Sequence, residues 1–451
     1  MITYFIIKKS QLEGSKRLDA EYYQPEYFID FSKGDWQPIG EHLEKCQYGL
    51  SLAMNDEKTG YPIYKMDDID YGLLFEDNIR YAKISDKEIE SYLIKKNDIF
   101  FNRVNSDEFV GRTGIFKGGP KSVFASYLIR LRIKENGLIT PDYLNIFLNS
   151  KYGKKQIKKY TRQAVNQANV NAEELKQMKI IVLPKLTQEK IADLSNKSWK
   201  EFQNSKSLYL QAENLLLEEL GLKNFESENK LWNIINLSET KKVSRIDAEY
   251  FQPKYEELES KIKKYKHKLL ENVLENVSAK FDSMKQPDKQ FKYVELSNIN
   301  ISIGLIDGFS EVLGKEAPSR AKRILRIGDI IVSSVEGSLE KVALVHKEQE
   351  NFLASTGFFQ FRSREILPEV LLVLAKSIVF SWQLEKRCAG TILTAVPKES
   401  IKDLLVPILP KPIQQKIADS VQKSHEARKK AKELLEEAKH KVEELIENNQ
   451  K

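Results

Sequence analysis

Two long stretches of this chain combine a polar surface with a regular row of apolar and small residues. Residues 187–220 and 413–451 contain neither proline nor glycine and are rich in good helix formers, so both are predicted to be helices. In each, the row recurs at alternating spacings of four and three. The first row is Ile191, Ser195, Ser198, Phe202, Ser205, Tyr209, Ala212 and Leu216, and the second is Ile417, Val421, Ser424, Arg428, Ala431, Leu435, Ala438, Val442 and Leu445.

A row with this spacing is typical of a coiled-coil seam, in which Arg428 is the one charged break. The first seam is more polar than the second, which favours the packing of the two helices on each other. The alternative is that each helix packs on its own globular domain.

The regions that precede these helices have a different pattern. Short β-branched and aromatic runs at 98–104, 126–133 and 329–335 predict strands, with glycine-rich loops between them. Residues 142–159 and 368–386 read as helices. Each region is therefore predicted to be a mixed α+β globule followed by a long helix.

The chain is an internal repeat. Residues 17–27 (RLDAEYYQPEY) return as 245–255 (RIDAEYFQPKY) with eight of eleven positions identical, and residues 183–198 return as 409–424 with ten of sixteen identical. The offsets are 228 and 226, so the intervening segments have almost the same length. Well-matched ends around a divergent middle indicate one scaffold with two different contents.

This pattern predicts four segments. Domain 1 covers residues 1–186 and is followed by a long spacer helix at 187–222. Domain 2 covers residues 223–410 and is followed by a second long spacer helix at 411–451.

The composition bears on two points only, the cellular compartment and the kind of partner that the protein could bind. The net charge of +7 permits a polyanionic partner but does not demand one. The two cysteines, Cys46 and Cys388, cannot build a disulfide framework, which suits a reducing cytoplasm. No apolar run approaches the ~20 residues of a membrane span, and no basic region precedes the short apolar stretch near Met1, so we expect a cytoplasmic protein.

Motifs that carry chemistry are missing from the sequence. Neither a phosphate-binding loop nor a dinucleotide or methyl-donor fingerprint is present. His42 and Cys46 are one helical turn apart but lack further ligands of their kind nearby. Asp329 and Glu340 resemble nuclease acids only loosely. We therefore expect no catalytic residue, no metal and no cofactor.

Basic and polar residues gather in the two divergent middles, at what the sequence indicates are equivalent places. Arginine and asparagine can contact guanine and adenine edges, and lysine neutralises phosphates. The simpler reading of each residue is a solvated loop. The candidate DNA-binding residues are Arg103, Asn105, Arg112, Lys117 and Lys121 in domain 1 and Arg320, Lys322, Arg323, Ser334 and Lys341 in domain 2.

Taken together, the tandem repeat, its Arg-x-Asp-Ala-Glu-Tyr-x-Gln-Pro opening and the Leu-Pro-Lys-x-x-Gln-x-Lys-Ile-Ala start of each long helix resemble the specificity subunit of type I restriction-modification systems. The motif that contains Gln188 and Gln414 is the most specific part. The resemblance covers nearly the whole chain.

The resemblance implies that each globule is a target-recognition domain and that the two long helices pack antiparallel as spacers. Such a subunit has no catalytic activity and binds no methyl donor. Its partners are double-stranded DNA, two modification (adenine-methyltransferase) subunits and restriction-translocation subunits. The opening motif and the helices would serve assembly more than base reading. The base-reading residues, which vary with the target, cannot be transferred by motif.

Antiparallel helices would relate the two domains by a pseudo-two-fold axis, so that each meets the duplex in the same manner. Because the middles differ, the two half-sites should differ. A helix of about 30 residues spans about 45 Å, more than the ~34 Å of one turn of B-DNA, which predicts an unread gap between the half-sites.

Three other interpretations remain open at this point. The chain could be an enzyme with an unrecognised nuclease or methyltransferase site, or a coiled-coil adaptor without a role on DNA. Within the family, its partner could be a fused modification and restriction enzyme.

Overall fold

The computed structural model describes residues 6, 8, 17, 19–77, 79–164, 167–227, 232–390 and 394–450. Leu18 of the opening motif and Lys451 of the second predicted helix lie outside them. The chain divides into two compact units: unit 1 is Met1–Phe202 with Lys429–Lys451, and unit 2 is Gln203–Arg428. Both boundaries lie inside long helices, so each unit contains one globular domain and a segment of each helix.

The helices of the described residues are numbered in chain order. They are α1 (Asp86–Tyr92), α2 (Pro141–Asn149), α3 (Lys151–Tyr160), α4 (Ala172–Gln177), α5 (Lys185–Glu219), α6 (Leu237–Val243), α7 (Pro253–Ile262), α8 (Leu270–Val273), α9 (Pro368–Lys376), α10 (Ile378–Arg387) and α11 (Lys411–Gln450). None of them is long and apolar enough to cross a membrane.

The strands are numbered in the same way. They are β1 (Trp36–Pro38), β2 (Leu43–Tyr48), β3 (Tyr61–Tyr64), β4 (Ile69–Asp70), β5 (Leu73–Leu74), β6 (Arg80–Ala82), β7 (Ile99–Asn102), β8 (Val104–Asn105), β9 (Thr113–Ile115), β10 (Val123–Phe124), β11 (Leu128–Ile133), β12 (Arg162–Ala164), β13 (Gln167–Asn169), β14 (Lys179–Ile181), β15 (His267–Leu269), β16 (Leu274–Asn276), β17 (Gln290–Val294), β18 (Ile299–Asn300), β19 (Leu305–Ile306), β20 (Ser310–Leu313), β21 (Ala321–Ile324), β22 (Ile330–Ser333), β23 (Val342–Leu344), β24 (Leu353–Ser355), β25 (Phe358–Ser363) and β26 (Leu405–Pro407).

Each globular domain is built on a six-stranded mixed sheet with the same strand order. The order is β2-β11-β7-β9-β5-β4 in domain 1 and β16-β25-β22-β23-β19-β18 in domain 2. In both sheets one pair is parallel, β5 with β9 and β19 with β23, and the other pairs are antiparallel. The predicted α+β repeat is therefore confirmed at the level of topology.

Smaller sheets carry the differences between the domains. The sheet β10-β3-β6 of domain 1 corresponds to β24-β17-β20 of domain 2, since in both the first pair is parallel and the second antiparallel. Domain 2 adds β21 to the free side of β24, whereas domain 1 has helix α1 at about that point of the chain. The divergence of the middles is therefore a change of secondary structure as well as of side chains.

The two helices predicted at 142–159 and 368–386 are each broken in the middle. Helix α2 ends before Ser150, whose backbone is extended and whose hydroxyl accepts a hydrogen bond from Gly153 N of α3. Ser377 separates α9 from α10 in the same way and accepts from Val379 N. A serine at such a position caps a new helix rather than continuing the old one.

The long helices extend over Lys185–Glu219 and Lys411–Gln450, within three residues of the predicted bounds where both are described. Every residue of the two predicted seams is buried except Leu445, whose place is taken by Ile446. A strict spacing of three and four drifts around an α-helix of 3.6 residues per turn, which explains a displacement at the end of the seam.

Within each unit the helix segments pack closely and antiparallel. In unit 1, Ser198 Oγ donates to Ala431 O at 2.8 Å, and Lys430 pairs with Glu201 at 2.5 Å. In unit 2, Ser424 Oγ donates to Ser205 O at 2.7 Å. Small seam residues permit this approach, and hydrogen bonds to backbone carbonyls satisfy the buried hydroxyls of Ser198 and Ser424.

The glutamine of the helix-start motif joins each long helix to its own globular domain. Gln188 is fully buried; its amide donates to Leu138 O and Leu183 O, both at 2.8 Å, and it accepts from Thr140 N at 2.8 Å. Gln414 repeats the arrangement with Leu409 O at 2.9 Å and Leu367 N at 3.3 Å. This amide satisfies backbone groups at the start of α2 or α9, which explains why glutamine recurs in both copies.

Candidate nucleic-acid interface

Both domains have the same backbone arrangement just after the central strand β7 or β22. In domain 1, Arg103 N donates to Tyr127 O at 3.0 Å, and Arg103 O accepts from Val170 N at 3.0 Å. In domain 2, Ser334 N donates to Gly357 O at 2.9 Å, and Ser334 O accepts from Val396 N at 2.8 Å. Arg103 and Ser334 are therefore structurally equivalent.

A second pair of candidate residues is also equivalent. The carbonyl of Arg112 accepts from Asn102 N at 2.8 Å, and that of Lys341 accepts from Ser333 N at 3.0 Å. These contacts join the end of the central strand to the start of its neighbour, β9 or β23. Two candidate residues of domain 1, Arg103 and Arg112, thus occupy the same backbone positions as two candidates of domain 2, Ser334 and Lys341. The side chains at these positions differ.

Side-chain contacts orient Arg103 and Arg112, the two candidate arginines of domain 1. Arg103 is half-buried; its Nε donates to Ser126 O at 3.0 Å, and its guanidinium lies 4.9 Å from the ring centre of Tyr48. Arg112 is exposed and lies 4.0 Å from the ring centre of Phe109. It also lines a cavity of ≈ 380 Å³ in unit 1 together with Lys154 and Lys439.

Strand β8 joins this region to a hairpin that contains none of the candidate residues predicted from the sequence. Strands β12 and β13 pair antiparallel, and β13 pairs with β8 through Ala168 and Asn105. In domain 2, isolated bridges join Val335 and Ala389 to Ala395 in the same arrangement. Ala389 and Ala395 therefore correspond to Arg162 and Asn169 of the hairpin in domain 1.

The hairpin of domain 1 carries side-chain amides. Gln163 and Gln167 are exposed and Asn169 is half-buried. Glutamine and asparagine are the side chains that make paired hydrogen bonds with adenine. The signal in the sequence was the richness of residues 162–169 (RQAVNQAN) in side-chain amides.

Lys117, a candidate DNA-binding residue, does not face solvent. The side chain is buried; Nζ pairs with Asp142 and donates to Asn196 Oδ1 of helix α5 at 2.8 Å. In domain 2, His346 follows strand β23 as Lys117 follows β9, and its Nε2 lies 2.9 Å from His425 Nδ1 of α11. This position connects a globular domain to its own helix, so Lys117 is directed away from any ligand of the domain surface.

Arg323 is likewise buried rather than exposed. It lies on β21, where its NH1 donates to Val277 O at 2.6 Å, and burial lowers its pKa to about 10. Its neighbours Arg320 and Lys322 are exposed. The sequence had indicated that these three residues lie at a place equivalent to the cluster of domain 1. They do not, because domain 1 has no strand among its described residues that corresponds to β21.

The remaining candidates lie on or near the surface. Lys121 is exposed, and Lys341 is half-buried at the start of β23. Asn105 is half-buried, and its amide donates to the sulfur of Met66 at 3.4 Å.

Asp329, the acid that loosely resembled a nuclease residue, has a structural role. It is fully buried and accepts from Arg362 Nε at 2.8 Å and from Gln360 at 2.7 Å. Asp98 at the equivalent position accepts from Arg132 at 2.7 Å. Among the described residues, no group of three or more histidine, cysteine, aspartate or glutamate side chains could hold a metal ion.

Comparisons with known proteins agree with the motifs. Residues 35–197 match the family model for the type I restriction modification DNA specificity domain. The chain is 30% identical over 182 residues to a putative type I restriction enzyme specificity subunit of Methanocaldococcus jannaschii. This alignment covers 39% of this chain and 43% of that protein. The chain is 24% identical over 165 residues to the EcoKI specificity subunit of Escherichia coli, which covers 36% of this chain and 34% of that protein.

The matched region is therefore less than half the length of either curated relative. Among solved structures, the S subunit of a type I restriction-modification system from M. genitalium aligns with a TM-score of 0.42 and 13% identity, over 94% of this chain and 98% of that one. Residues 35–197 thus match the DNA specificity domain of type I restriction-modification systems, and the chain is similar to specificity subunits of these systems over the segments that align.

Proposed function

We propose that this chain is the DNA-recognition subunit of a type I restriction-modification complex and has no catalytic activity of its own. Domain 1 and domain 2 each read one half of a split, asymmetric DNA target. Modification (adenine-methyltransferase) subunits and restriction-translocation subunits assemble on the chain, which directs them to that target.

One observation carries this proposal: equivalent backbone positions in two copies of one scaffold bear different side chains. Arg103 in domain 1 corresponds to Ser334 in domain 2, and both follow the central strand. An arginine selects guanine through paired hydrogen bonds, whereas a serine hydroxyl can serve as donor or acceptor to several bases. A shared scaffold with different contents fits two half-sites of different sequence.

The distribution of charge supports contact with a duplex. Arg112, Lys121, Arg320 and Lys322 are exposed in the divergent middles, where they can neutralise phosphates. We assign these residues to backbone contacts, which position a protein on DNA without reading its sequence. Lys117 and Arg323 are left out of the proposed interface because both are buried.

The decisive experiment is a single-molecule methylation map of the host strain with and without this gene. We expect that deletion removes adenine methylation from one split motif with two different halves, and that a plasmid-borne copy restores it. Identical maps in the two strains would contradict the proposal.

A second measurement separates this function from that of an enzyme. The purified chain, incubated with DNA and a labelled methyl donor or with Mg²⁺, should neither transfer the label nor cleave the DNA. Transfer or cleavage by the chain alone would favour the catalytic alternative.

A further inference from the structure

The repeated opening motif lies at the base of the hairpin β12–β13, which pairs with strand β8. Arg17 is buried, and its guanidinium makes two hydrogen bonds with Asp19, from Nε at 2.8 Å and from NH2 at 2.5 Å. Its NH1 donates to Tyr160 O at 3.0 Å. Because Tyr160 is the last residue of α3, the guanidinium neutralises the carbonyl end of the helix that leads into the hairpin.

Glu174 extends this contact to the hairpin itself. It accepts from Arg162 Nε at 2.8 Å and lies 3.5 Å from NH1 of Arg17. Arg162 is the first residue of β12, and Glu174 lies in α4, the helix that follows β13. The pair Arg17–Asp19 therefore contacts groups at both ends of the hairpin. We call this pair, and Arg245–Asp247 of domain 2, the clamp.

Domain 2 repeats the first of these contacts, that with the end of the preceding helix. Arg245 makes two hydrogen bonds with Asp247, at 2.8 Å and 2.6 Å, and donates to Cys388 O at 3.1 Å just after α10. Arg387, the last residue of α10 as Tyr160 is of α3, pairs with Asp403 at 3.2 Å. The arginine–aspartate pair and its contact with the end of the preceding helix therefore occur in both copies, and the contact with Glu174 belongs to domain 1.

The charges of the clamp are stable near neutral pH. Hydrogen bonds from Arg17 lower the pKa of Asp19, and those from Arg245 lower the pKa of Asp247. Paired hydrogen bonds between a guanidinium and a carboxylate fix geometry as well as charge. A lysine at either position would keep the charge but lose this fixed geometry.

We propose that Arg17–Asp19 and Arg245–Asp247 are positioning residues, each of which holds the hairpin of its own domain in place to read base edges. A two-stranded β-ribbon fits the major groove, and the exposed Gln163 and Gln167 are the base-reading residues of the hairpin in domain 1. This inference rests on the proposed function and gives the opening motif a role in specificity beyond the assembly role that the family resemblance implies.

The test maps adenine methylation in strains that express the wild-type chain, Arg17→Lys or Arg245→Lys with their natural partners. With Arg17→Lys, we expect sites with one mismatch in the half read by domain 1 to gain methylation on the order of tenfold, while the other half stays strict. Arg245→Lys should relax only the other half, so each variant is the matched control of the other.

Two further variants separate positioning from folding. Gln167→Ala on the exposed hairpin should relax the same half as Arg17→Lys, and Gln177→Ala, exposed at the end of α4, should relax neither. Uniform loss of methylation in Arg17→Lys, or relaxation of both halves, would overturn the positioning role. A wild-type gene with no effect on methylation would instead overturn the proposed function, and the inference with it.

Discussion

At the scale of single residues, buried polar groups connect each globular domain to its long helix. In domain 2 this contact is a histidine pair: His425 Nε2 lies 2.9 Å from Ile303 O, and His425 Nδ1 lies 2.9 Å from His346 Nε2. Because a carbonyl can only accept, His425 carries its proton on Nε2 and accepts from His346 on Nδ1. The pair is fully satisfied only while His425 is neutral.

This pair predicts a dependence of stability on pH. Burial, together with the nearby charge of His346, lowers the pKa of His425 to about 3, and Arg428 and Lys376 add smaller repulsions. Below the ordinary histidine pKa of about 6.5, the unfolded chain binds a proton that the folded chain excludes. The stabilisation present above pH 6.5 is therefore lost progressively as the pH falls toward 3.

The measurement is urea denaturation of the wild type and His425→Gln at pH 7 and pH 5. Over this interval the wild type should lose about 2 kcal/mol more of its free energy of unfolding than the variant does. His440→Gln is the control, since that side chain is 72% exposed. Equal losses in all three proteins would show that His425 does not bind its proton on unfolding.

A second residue-scale prediction concerns Arg103 and Ser334. Arg103→Ala should relax the half-site of domain 1, because it removes the guanidinium that can bond guanine, and Ser334→Ala should relax only the half-site of domain 2. Each change should cost about 1–3 kcal/mol of discrimination against one wrong base. Competition binding of the assembled complex to single-mismatch duplexes measures this, with Arg80→Ala as a control at an exposed ion pair.

At the scale of elements, the start of each long helix depends on one buried amide. Gln188 makes three hydrogen bonds to backbone groups and Gln414 makes two. Loss of the amide leaves buried backbone groups without partners, which is more costly than the net contribution of the hydrogen bonds themselves.

We therefore expect Gln188→Ala to destabilise the protein by about 2–4 kcal/mol and Gln414→Ala by somewhat less. Gln415→Ala, at the exposed neighbour of Gln414, should change the free energy of unfolding by no more than about 0.5 kcal/mol. Urea denaturation gives all three values. A Gln188→Ala variant as stable as the Gln415→Ala variant would contradict this account of the motif.

At the scale of the whole molecule, each compact unit contains one globular domain and a segment of both long helices. Neither helix belongs wholly to one unit, so each unit needs residues from both halves of the sequence. The repeated ends supply this common framework, and the divergent middles supply the surfaces that differ.

Module exchange tests this division. If the proposed function holds, replacement of residues 17–186 by the corresponding segment of a type I specificity subunit should change only one half of the methylated motif, and replacement of residues 245–410 should change only the other. Methylation mapping of both chimaeras provides the readout. A chimaera in which both halves change would refute independent reading by the two domains.

The sequence by itself determined the repeat, the α+β class and the two helical seams. These features follow from local periodicity and from motifs that recur at nearly constant offset, and burial of all but one of the predicted seam residues agrees with them. Candidate residues were less predictable, because a lysine or arginine in a loop sequence can face solvent or pair inside the fold. Lys117 and Arg323 are buried, because groups distant in the sequence, Asp142 and Val277 O, are their partners inside the fold.

Only the tertiary structure decided which positions of the two copies correspond within the divergent middles. Arg103 matches Ser334, and Arg112 matches Lys341, through backbone hydrogen bonds that the sequence does not reveal. The hairpin and its clamp depend on contacts such as that of Arg17 with Tyr160 O, 143 residues apart in the chain. Local patterns specify elements, but pairing between distant elements depends on which backbone groups meet when the cores pack.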